Sequence, residues 1–434
     1  MNVPASTTGG RPDDAPGGRH STVAGLLRDI ADTGRDRARG GWSRPVFSTA
    51  ELELREWFTS AALDRGLEVE TDRNGAVWAW WNPTGGPLVD AVVTGSHLDS
   101  VPGGGEFDGP LGVASALVAV DVPRSRGVVP RRPIAVTVFP EEEGSRFGVA
   151  CLGSRLMTGA LDPARAATLT DPDGNTFADV AAAHGLDPDL IGRDDEALAR
   201  VGQFVELHVE QGRGLVDLDR PVAIGSSILG HGRWRMTVTG QGNHAGTTLM
   251  ADRRDPMVAA SRIVVAVRDA ARGRPAARAT VGRIQPVPGG TNVIASRVDL
   301  WLDVRHPDDA VTADVVSTIA SQSRLIAADE GCTVELVEES YSGTVHFDGA
   351  LRQRLSDALP ATPVLDTGAG HDAGILAGHV PTAMLFVRNP TGVSHSPEEA
   401  VDEPDAEAGA EVLADVLADL AGDAHARGAV SAVG

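Results

Sequence analysis

Apolar runs and amphipathic segments alternate along most of the chain, a pattern that predicts strands and helices in turn. Three apolar runs have the length and β-branched content of strands, namely AVWAWWNP (76–83), LVDAVVTGSH (88–97) and RPIAVTVFPEEE (132–143). Between the last two, residues 111–122 are small and apolar enough for a buried helix. The alternation predicts an α/β fold with a mixed, mostly parallel sheet and flanking helices, in which ligand-binding residues gather at the carboxyl ends of the strands.

Further local signals extend this first pattern in both directions. Residues 48–51 (STAE) have the sequence of a capping box that opens a helix, and Gly66 is a suitable stop for it. Residues 203–212 (QFVELHVEQG) form another strand-like run that ends in polar residues. The stretch AEAGAEVLADVLADLA (406–421) is amphipathic and predicts a surface helix that closes the fold.

A second pattern, in the order β-α-β-β-α-β, predicts an inserted ferredoxin-like module. Because helices and strand-like runs of the first type resume after it, we assign residues 21–228 and 342–434 to one domain and residues 229–341 to the insertion. Residues 1–20 are rich in Pro and Gly and predict a disordered tail. The runs that define the module are strands at 233–240, 279–288, 297–306 and 332–339, and helices at 252–271 and 309–328.

The charge composition narrows the possible functions. A formal net charge of −22 argues against nucleic acid or an anionic membrane surface as the main partner, since both require a basic face. All 38 basic residues are Arg, because the sequence contains no Lys. This removes a Schiff-base lysine, a phosphate-loop lysine and a Ser–Lys dyad, and with them pyridoxal enzymes and most kinases.

The cysteine count and the apolar runs indicate a cytoplasmic protein. Two cysteines, Cys151 and Cys332, are too few for a disulfide framework or a thiolate zinc site. The first twenty residues lack the apolar segment of a secretory signal. No window approaches the roughly 18 consecutive apolar residues that a membrane helix needs.

One local pattern recurs five times: a strand-like run, then His or acidic residues, then Gly. Imidazole and carboxylate are the ligands of borderline divalent metals, so the repetition predicts two metal ions with one bridging carboxylate. A single histidine of this kind is more typical of a surface or a satisfied core residue. The segments are GSHLD (95–99), EFDG (106–109), PEEEG (140–144), ELHVEQG (206–212) and GVSHSPEE (392–399).

The Gly-rich loop and the acidic triplet suggest how these side chains divide their roles. Glycines after His97 would let Asp108 fold back beside the imidazole, and Asp99 would hydrogen-bond a ligand imidazole and fix its tautomer. Residues 141–143 (EEE) follow a buried apolar run, so at least one of them needs a cation nearby. One glutamate would bind metal while its neighbour accepts a proton from water.

Six motifs, spread in order from 95 to 399, resemble those of the amidase/hydantoinase/carbamoylase group. This branch of the aminoacylase-like metallopeptidase clan includes allantoate amidohydrolases and N-carbamoyl-L-amino-acid hydrolases. The resemblance implies a di-metal exopeptidase-like fold, in which residues 229–341 form a lid and dimerisation domain of a homodimer. The motifs are GSHLDSVPGGGEFDG, FPEEEGSRFG, ELHVEQG, GNHAGTT, TNVIASRVDLWLDVR and GAGHDA followed by GVSHSPEE.

The resemblance also implies a ligand set for two divalent ions per chain, either zinc or manganese. Glu142 matches the general base that later acts as general acid. His208 stands where peptidase members of the clan have an acid, which marks the carbamoylase branch. The implied metal ligands are His97, Asp108 as the bridge, Glu143, His208 and His395.

The remaining matches concern the substrate. His244 and Asn292 match residues that polarise the scissile carbonyl, often from a partner subunit's lid, and Arg305 matches the arginine that binds the substrate carboxylate. Leu249 stands where the family commonly has Pro, which affects the shape of the pocket. Three further positions match with less specificity: Gln211 and Arg233 in the pocket, and His371 as a ligand or a support.

These matches predict a hydrolase of linear ureido or amide C–N bonds in a small carboxylate-bearing substrate, with allantoate preferred. An N-carbamoyl-L-amino-acid hydrolase of the β-ureidopropionase type is the main alternative. A dipeptidase or deacylase of the same clan is disfavoured by His208. A dimerisation protein with a vestigial site is disfavoured because Glu142 and all five ligand types are present.

Overall fold

Helices and strands alternate over residues 22–422, the part of the chain that this computed structural model describes. The tail predicted for residues 1–20 lies outside the described residues. The helices are α1 (Val23–Asp29), α2 (Thr49–Asp64), α3 (Pro110–Ser125), α4 (Leu152–Thr158), α5 (Pro163–Ala167), α6 (Phe177–Ala183), α7 (Asp195–Arg200), α8 (Gly214–Leu218), α9 (Pro256–Arg272), α10 (Asp309–Asp329), α11 (Gly349–Ala358), α12 (Asp372–Leu376) and α13 (Glu403–Ala421).

The strands confirm the predicted α/β class, with parallel and antiparallel pairs in the same sheet. They are β1 (Arg35–Asp36), β2 (Gly40–Trp42), β3 (Glu68–Thr71), β4 (Val77–Trp81), β5 (Ala91–His97), β6 (Ile134–Phe139), β7 (Val201–Val209), β8 (Val222–Ile228), β9 (Gly230–Thr239), β10 (Asn243–His244), β11 (Arg278–Val287), β12 (Val293–Ile294), β13 (Arg297–His306), β14 (Thr333–Ser342), β15 (Val345–His346), β16 (Val364–Thr367) and β17 (Thr382–Val387).

Two compact units divide the described residues. The first unit comprises residues 22–202, 206–209 and 387–422, and the second comprises residues 203–205 and 210–386. The domain boundaries drawn from the sequence stay a prediction. No helix within residues 22–422 is both long enough and apolar enough to cross a membrane.

The sheet of the first unit brings the ends of two parallel strands side by side. Strands β5 and β6 are buried along their whole length, and their register pairs His97 with Phe139, the last residue of each. Residues 140–143 follow β6 directly, so they emerge next to His97. Strands β4 and β3 continue the sheet with antiparallel pairing, and helix α3 packs against β5 and α13.

The second unit contains the predicted ferredoxin-like arrangement. Strands β9, β11, β13 and β14 form an antiparallel sheet in the order β11-β13-β9-β14. Helices α9 and α10 pack against it around a core that includes Met236, Ile263 and Leu300. With α9 following β9 and α10 following β13, the chain order is β-α-β-β-α-β, as the sequence predicted.

The predicted capping box at residues 48–51 is confirmed, with one difference in its partners. Ser48 Oγ accepts a hydrogen bond from Glu51 N at 3.3 Å, but the Glu51 carboxylate accepts from Phe47 N (2.9 Å) rather than from the cap residue itself. The same carboxylate pairs with Arg55 Nε at 2.5 Å. Glu51 is therefore buried with both oxygens engaged, and it ties the start of α2 to Arg55 one turn later.

We expect Glu51→Ala to lower the free energy of unfolding by about 3–5 kcal/mol, because it leaves the Arg55 guanidinium buried without its carboxylate. Urea denaturation followed by circular dichroism measures the effect. The matched control is Glu53→Ala on the exposed side of α2, which should change stability by less than about 0.5 kcal/mol. Equal stability of the two variants would contradict the structural role of the Glu51–Arg55 pair.

Candidate metal centre

Two imidazoles and one carboxylate converge at the ends of the central strands of the first unit. His97 ends β5, His208 lies near the end of β7, and Asp108 precedes α3. Asp108 Oδ1 lies 3.2 Å from His208 Nε2 and 3.5 Å from His97 Nε2. All three residues are buried, and one donor atom from each lies within 4.8 Å of the others. This spacing suits a single divalent ion.

A second group shares Asp108 through its other oxygen. His395 Nε2 lies 3.4 Å from Asp108 Oδ2 and 3.4 Å from Glu143 Oε2. The donor atoms of Asp108, Glu143 and His395 also lie within 4.8 Å of one another. The two oxygens of one carboxylate thus face two separate sets of ligand atoms, which is the arrangement that a bridge between two ions requires.

The donor atoms of these groups fit a metal. Within the described residues, His97 Nε2 and Glu143 Oε1 are buried without a hydrogen-bond partner. Leaving such atoms unsatisfied costs free energy, which a bound cation would offset. Imidazole nitrogens combined with carboxylate oxygens suit zinc and manganese alike. The residues present therefore fit two divalent ions.

Main-chain carbonyls fix the orientation of both buried imidazoles. His97 Nδ1 bonds the Asp99 carbonyl oxygen at 2.9 Å, and His208 Nδ1 bonds the Val209 carbonyl oxygen at 3.0 Å. Since a carbonyl only accepts, each Nδ1 carries the proton and each Nε2 presents its lone pair to the centre.

The contact predicted for the Asp99 side chain is made by its main chain instead. The Asp99 carboxylate accepts the backbone N–H groups of Glu142 and Glu143, both at 3.1 Å. The prediction that this carboxylate bonds a ligand imidazole is therefore wrong in its atom, although it named the right residue. The carboxylate fixes the turn after β6, which positions the two glutamates.

Electrostatics in the centre reflect the burial of several like charges. Burial, and then the charge of Asp108, raises the pKa of Glu143 to about 8. Burial also acts to raise the pKa of Asp108, but the close approach of the His208 and His97 imidazoles outweighs it and holds this pKa well below its ordinary value. The Asp108 carboxylate thus ionises more readily than that of Glu143, which needs added positive charge nearby to ionise fully.

The three consecutive glutamates have three different environments. The Glu141 carboxylate accepts the N–H groups of Arg146 and Phe147 at 2.9 and 2.6 Å, so it holds the turn together. Glu143 belongs to the second ligand group. Glu142 Oε2 lies 3.7 Å from His97 Nε2, while Cys151 Sγ donates to its Oε1 at 3.4 Å. The contact with Cys151 was not predicted, since nothing in the sequence pairs the two residues.

The backbone of the centre is unusual at both glycine and non-glycine positions. Gly109 has a φ of +87°, and a Cβ there would lie 2.6 Å from the His97 imidazole. This close approach lets Asp108 reach His97 and explains one glycine of the loop. Glu141, Cys151 and His395 have φ values of 56°, 54° and 56°, in the left-handed region that non-glycine residues seldom adopt.

In the second unit, the structure brings together two of the residues matched to carbonyl polarisation. Strands β10 and β12 pair His244 with Val293, and Ala245 N donates to the Asn292 carbonyl oxygen at 3.0 Å. His244 and Asn292 are both exposed. They are therefore neighbours on the surface of this unit, and their role stays a prediction.

The residues matched to substrate binding also lie in the second unit, on its antiparallel sheet and near it. The Arg305 guanidinium bonds Asp303 at 2.7 and 3.0 Å, and the register of β9 and β13 places Arg233 opposite Asp303. Asp303 thus holds the Arg305 guanidinium in place beside a second arginine, Arg233. His371 is buried at the start of α12, and Gln211 follows β7. Their predicted roles are taken up below as proposals.

The chain is similar to known proteins in both sequence and fold. The family described as peptidase family M20/M25/M40 matches residues 93–419. An N-carbamoyl-L-amino acid amidohydrolase of Geobacillus stearothermophilus is 36% identical over 88% of this chain and 94% of that relative. The allantoate amidohydrolase of Escherichia coli K12 is 34% identical over 88% and 93%. A hydantoinase/carbamoylase family amidase from Burkholderia multivorans superposes with a TM-score of 0.83 at 33% identity, covering 92% of this chain and 97% of that one.

We expect metal removal to lower the melting temperature of the protein, because bound ions offset the burial of the ligand side chains. At a free metal concentration of 100 times its Kd, one ion stabilises the folded state by about 2.7 kcal/mol. Differential scanning calorimetry with and without a chelator measures this shift, and elemental analysis should find two divalent ions per chain. His208→Ala should lose metal, whereas His379→Ala, which changes an exposed histidine, should not. A melting temperature that chelation leaves unchanged would contradict the assignment.

Proposed function

The chain belongs to peptidase family M20/M25/M40 and is a hydrolase of C–N bonds, and we propose that it cleaves linear ureido or amide bonds with two metal ions. The proposed substrate is small and bears a carboxylate, with allantoate as the first choice. One observation carries the proposal: Asp108 is common to two groups of ligand atoms, and Glu142 lies beside them but belongs to neither group.

The proposed ligands follow from the two groups. His97 and His208 would hold one ion with one oxygen of Asp108, and Glu143 and His395 would hold the other with its second oxygen. When bound, such ions polarise a carbonyl as Lewis acids and lower the pKa of water towards neutrality.

Glu142 is the proposed general base. Its backbone is fixed by its N–H bond to Asp99 and by its carbonyl, which accepts from Cys151 N at 2.7 Å. Glu142 would take a proton from the attacking water as the water oxygen bonds the carbonyl carbon. It would then give this proton to the leaving nitrogen as the C–N bond breaks, so the carboxylate is regenerated.

The remaining roles in the proposed mechanism belong to the residues that the resemblance matches to the substrate. His244 and Asn292 would stabilise the negative charge that develops on the carbonyl oxygen, a contribution of about 2.7–4 kcal/mol per donor in comparable sites. Arg305 would bind the substrate carboxylate, because a guanidinium held by Asp303 has little freedom to lose. Gln211, Arg233 and His371 are proposed to line the same pocket.

Two substrate classes fit this description. Allantoate is a polar diureide with one carboxylate, and two arginines on adjacent strands, Arg233 and Arg305, suit such a molecule. N-carbamoyl-L-amino acids share the ureido group and the carboxylate, and a relative named for them is as similar to the chain as one named for allantoate. The two classes differ in the group beside the carboxylate, which is a second ureido group in allantoate.

We expect Glu142→Gln to reduce kcat by about 10²–10⁴, because an amide cannot accept the proton from water. The metal content should stay unchanged, because Glu142 belongs to neither ligand group. Steady-state kinetics with elemental analysis of the same sample measures both quantities. Glu56→Gln, an exposed change on α2, is the control and should match the unaltered protein. Near-normal turnover by Glu142→Gln would reject the role of this residue as base.

A substrate panel tests the proposed specificity. Ammonia release from allantoate should proceed with a higher kcat/KM than cleavage of N-carbamoyl-L-amino acids, and an Arg305→Gln variant should raise KM for both because it removes the carboxylate partner. A simple N-acyl amino acid and a dipeptide serve as controls for the wider clan. A preference for either control would contradict the ureido specificity.

A further inference from the structure

Glu399 connects two loops of the first unit that are distant in sequence. It lies between β17 and α13, and its side chain is only 5% exposed. Its Oε1 accepts the backbone N–H groups of Phe107 and Asp108, at 3.1 and 3.0 Å. The carboxylate therefore holds the main chain of the residue that both ligand groups share.

The other oxygen of Glu399 reaches the loop that carries His395. Glu399 Oε2 accepts from Ser394 Oγ at 3.2 Å, and this hydroxyl also lies 3.4 Å from Asp108 Oδ2. Ser394 directly precedes His395, so Glu399 and Ser394 together span the distance from one ligand to the next. The loop is ordered from within by Asn389, whose side chain donates to the Val393 carbonyl oxygen at 2.8 Å.

A glycine makes room for this carboxylate. A Cβ on Gly105 would lie 2.1 Å from Glu399 Oε1, and Gly105 does not have a positive φ. Gly105 is therefore required by the approach of Glu399, not by the conformation of its own backbone. The density of glycine between His97 and α3 thus has a second cause besides the approach of Gly109 to His97.

We propose that Glu399 is a positioning residue that sets the spacing between Asp108 and His395, and that the affinity for the ion between them depends on this spacing. The inference rests on the proposed function only in taking Asp108 and His395 as metal ligands. Glu399 acts through its hydrogen bonds to the two loops.

The contacts distinguish positioning from direct ligation. Both oxygens of Glu399 point to N–H or O–H donors, and within residues 22–422 Glu399 belongs to none of the groups whose atoms could hold an ion. Hydrogen bonds from Phe107 N, Asp108 N and Ser394 Oγ fix the place of its carboxylate.

Zinc retention by the loaded full-length protein tests the proposal without any substrate. The protein is titrated with a chromophoric chelator, and the zinc released is counted per chain. Glu399→Ala should lose one of its two ions at about 10–100-fold lower chelator concentration, the usual effect of removing a group that supports a ligand. Glu399→Gln should stay within about threefold of the unaltered protein, because its amide oxygen still accepts both N–H groups and its NH₂ can donate to Ser394 Oγ.

Two further variants test whether zinc loss comes from the changed spacing between Asp108 and His395 or from the loss of the Glu399 side chain itself. Gly105→Ala keeps Glu399 but displaces its carboxylate, so it should reproduce the zinc loss of Glu399→Ala. Glu398→Ala removes the exposed neighbouring carboxylate and should retain both ions. Far-ultraviolet circular dichroism of each variant shows whether it is folded, and Gly105→Ala tests the predicted zinc loss if Glu399→Ala does not fold.

The possible outcomes are distinct. Unchanged zinc retention in Glu399→Ala and Gly105→Ala would overturn the proposal, as would a loss in Glu399→Gln equal to that in Glu399→Ala, since charge and not position would then matter. Failure of the unaltered protein to hydrolyse any ureido or amide substrate would overturn the proposed function instead. That result would leave the comparison of zinc retention intact.

Discussion

The sharing of Asp108 between two sets of ligand atoms is the constraint on which the rest of the site depends. One carboxylate can serve both sets only if each of its oxygens faces a different histidine, as Oδ1 faces His208 and Oδ2 faces His395. This requires the main chain at 108 to be fixed from several sides. Like charges buried at such short range repel each other strongly, so the arrangement is stable only with added positive charge.

The backbone meets this constraint through strand register and close packing. Parallel pairing of β5 with β6 places His97 beside the turn that carries the glutamates, and the Asp99 carboxylate closes that turn by accepting two N–H groups. The ligands therefore come from strand ends and tight loops that are held in place by hydrogen bonds to the main chain. Preorganisation of this kind reduces the reorganisation that metal binding and catalysis would otherwise require.

Much of this could be predicted from the sequence, and the exceptions have physical causes. Run length, β-branched content and flanking turn residues located β5, β6, α3 and the ferredoxin-like order, because these features separate a buried strand from a buried helix where periodicity alone does not. The recurrence of His, acid and Gly after strands pointed to the segments that carry both ligand groups, and the resemblance to the amidase/hydantoinase/carbamoylase group singled out the residues within them. It could not be predicted that the main-chain carbonyl of Asp99, and not its carboxylate, bonds the His97 imidazole. A sequence names the residue but does not say which of its oxygens makes a contact. Glu399 stood within a recognised motif, but its partners at 107 and 108 lie almost 300 positions away.

The left-handed backbone at Glu141, Cys151 and His395 has a consequence for how this protein can evolve. Each such residue is strained by about 1–3 kcal/mol relative to a conformation that suits its side chain. Replacement by glycine would relax the chain at any of the three positions but would delete a turn-closing carboxylate, a thiol donor or an imidazole. At His395, the proposed metal ligand among the three, selection for heat tolerance and selection for turnover therefore act in opposite directions, and adaptation to high temperature has to come from elsewhere in the molecule.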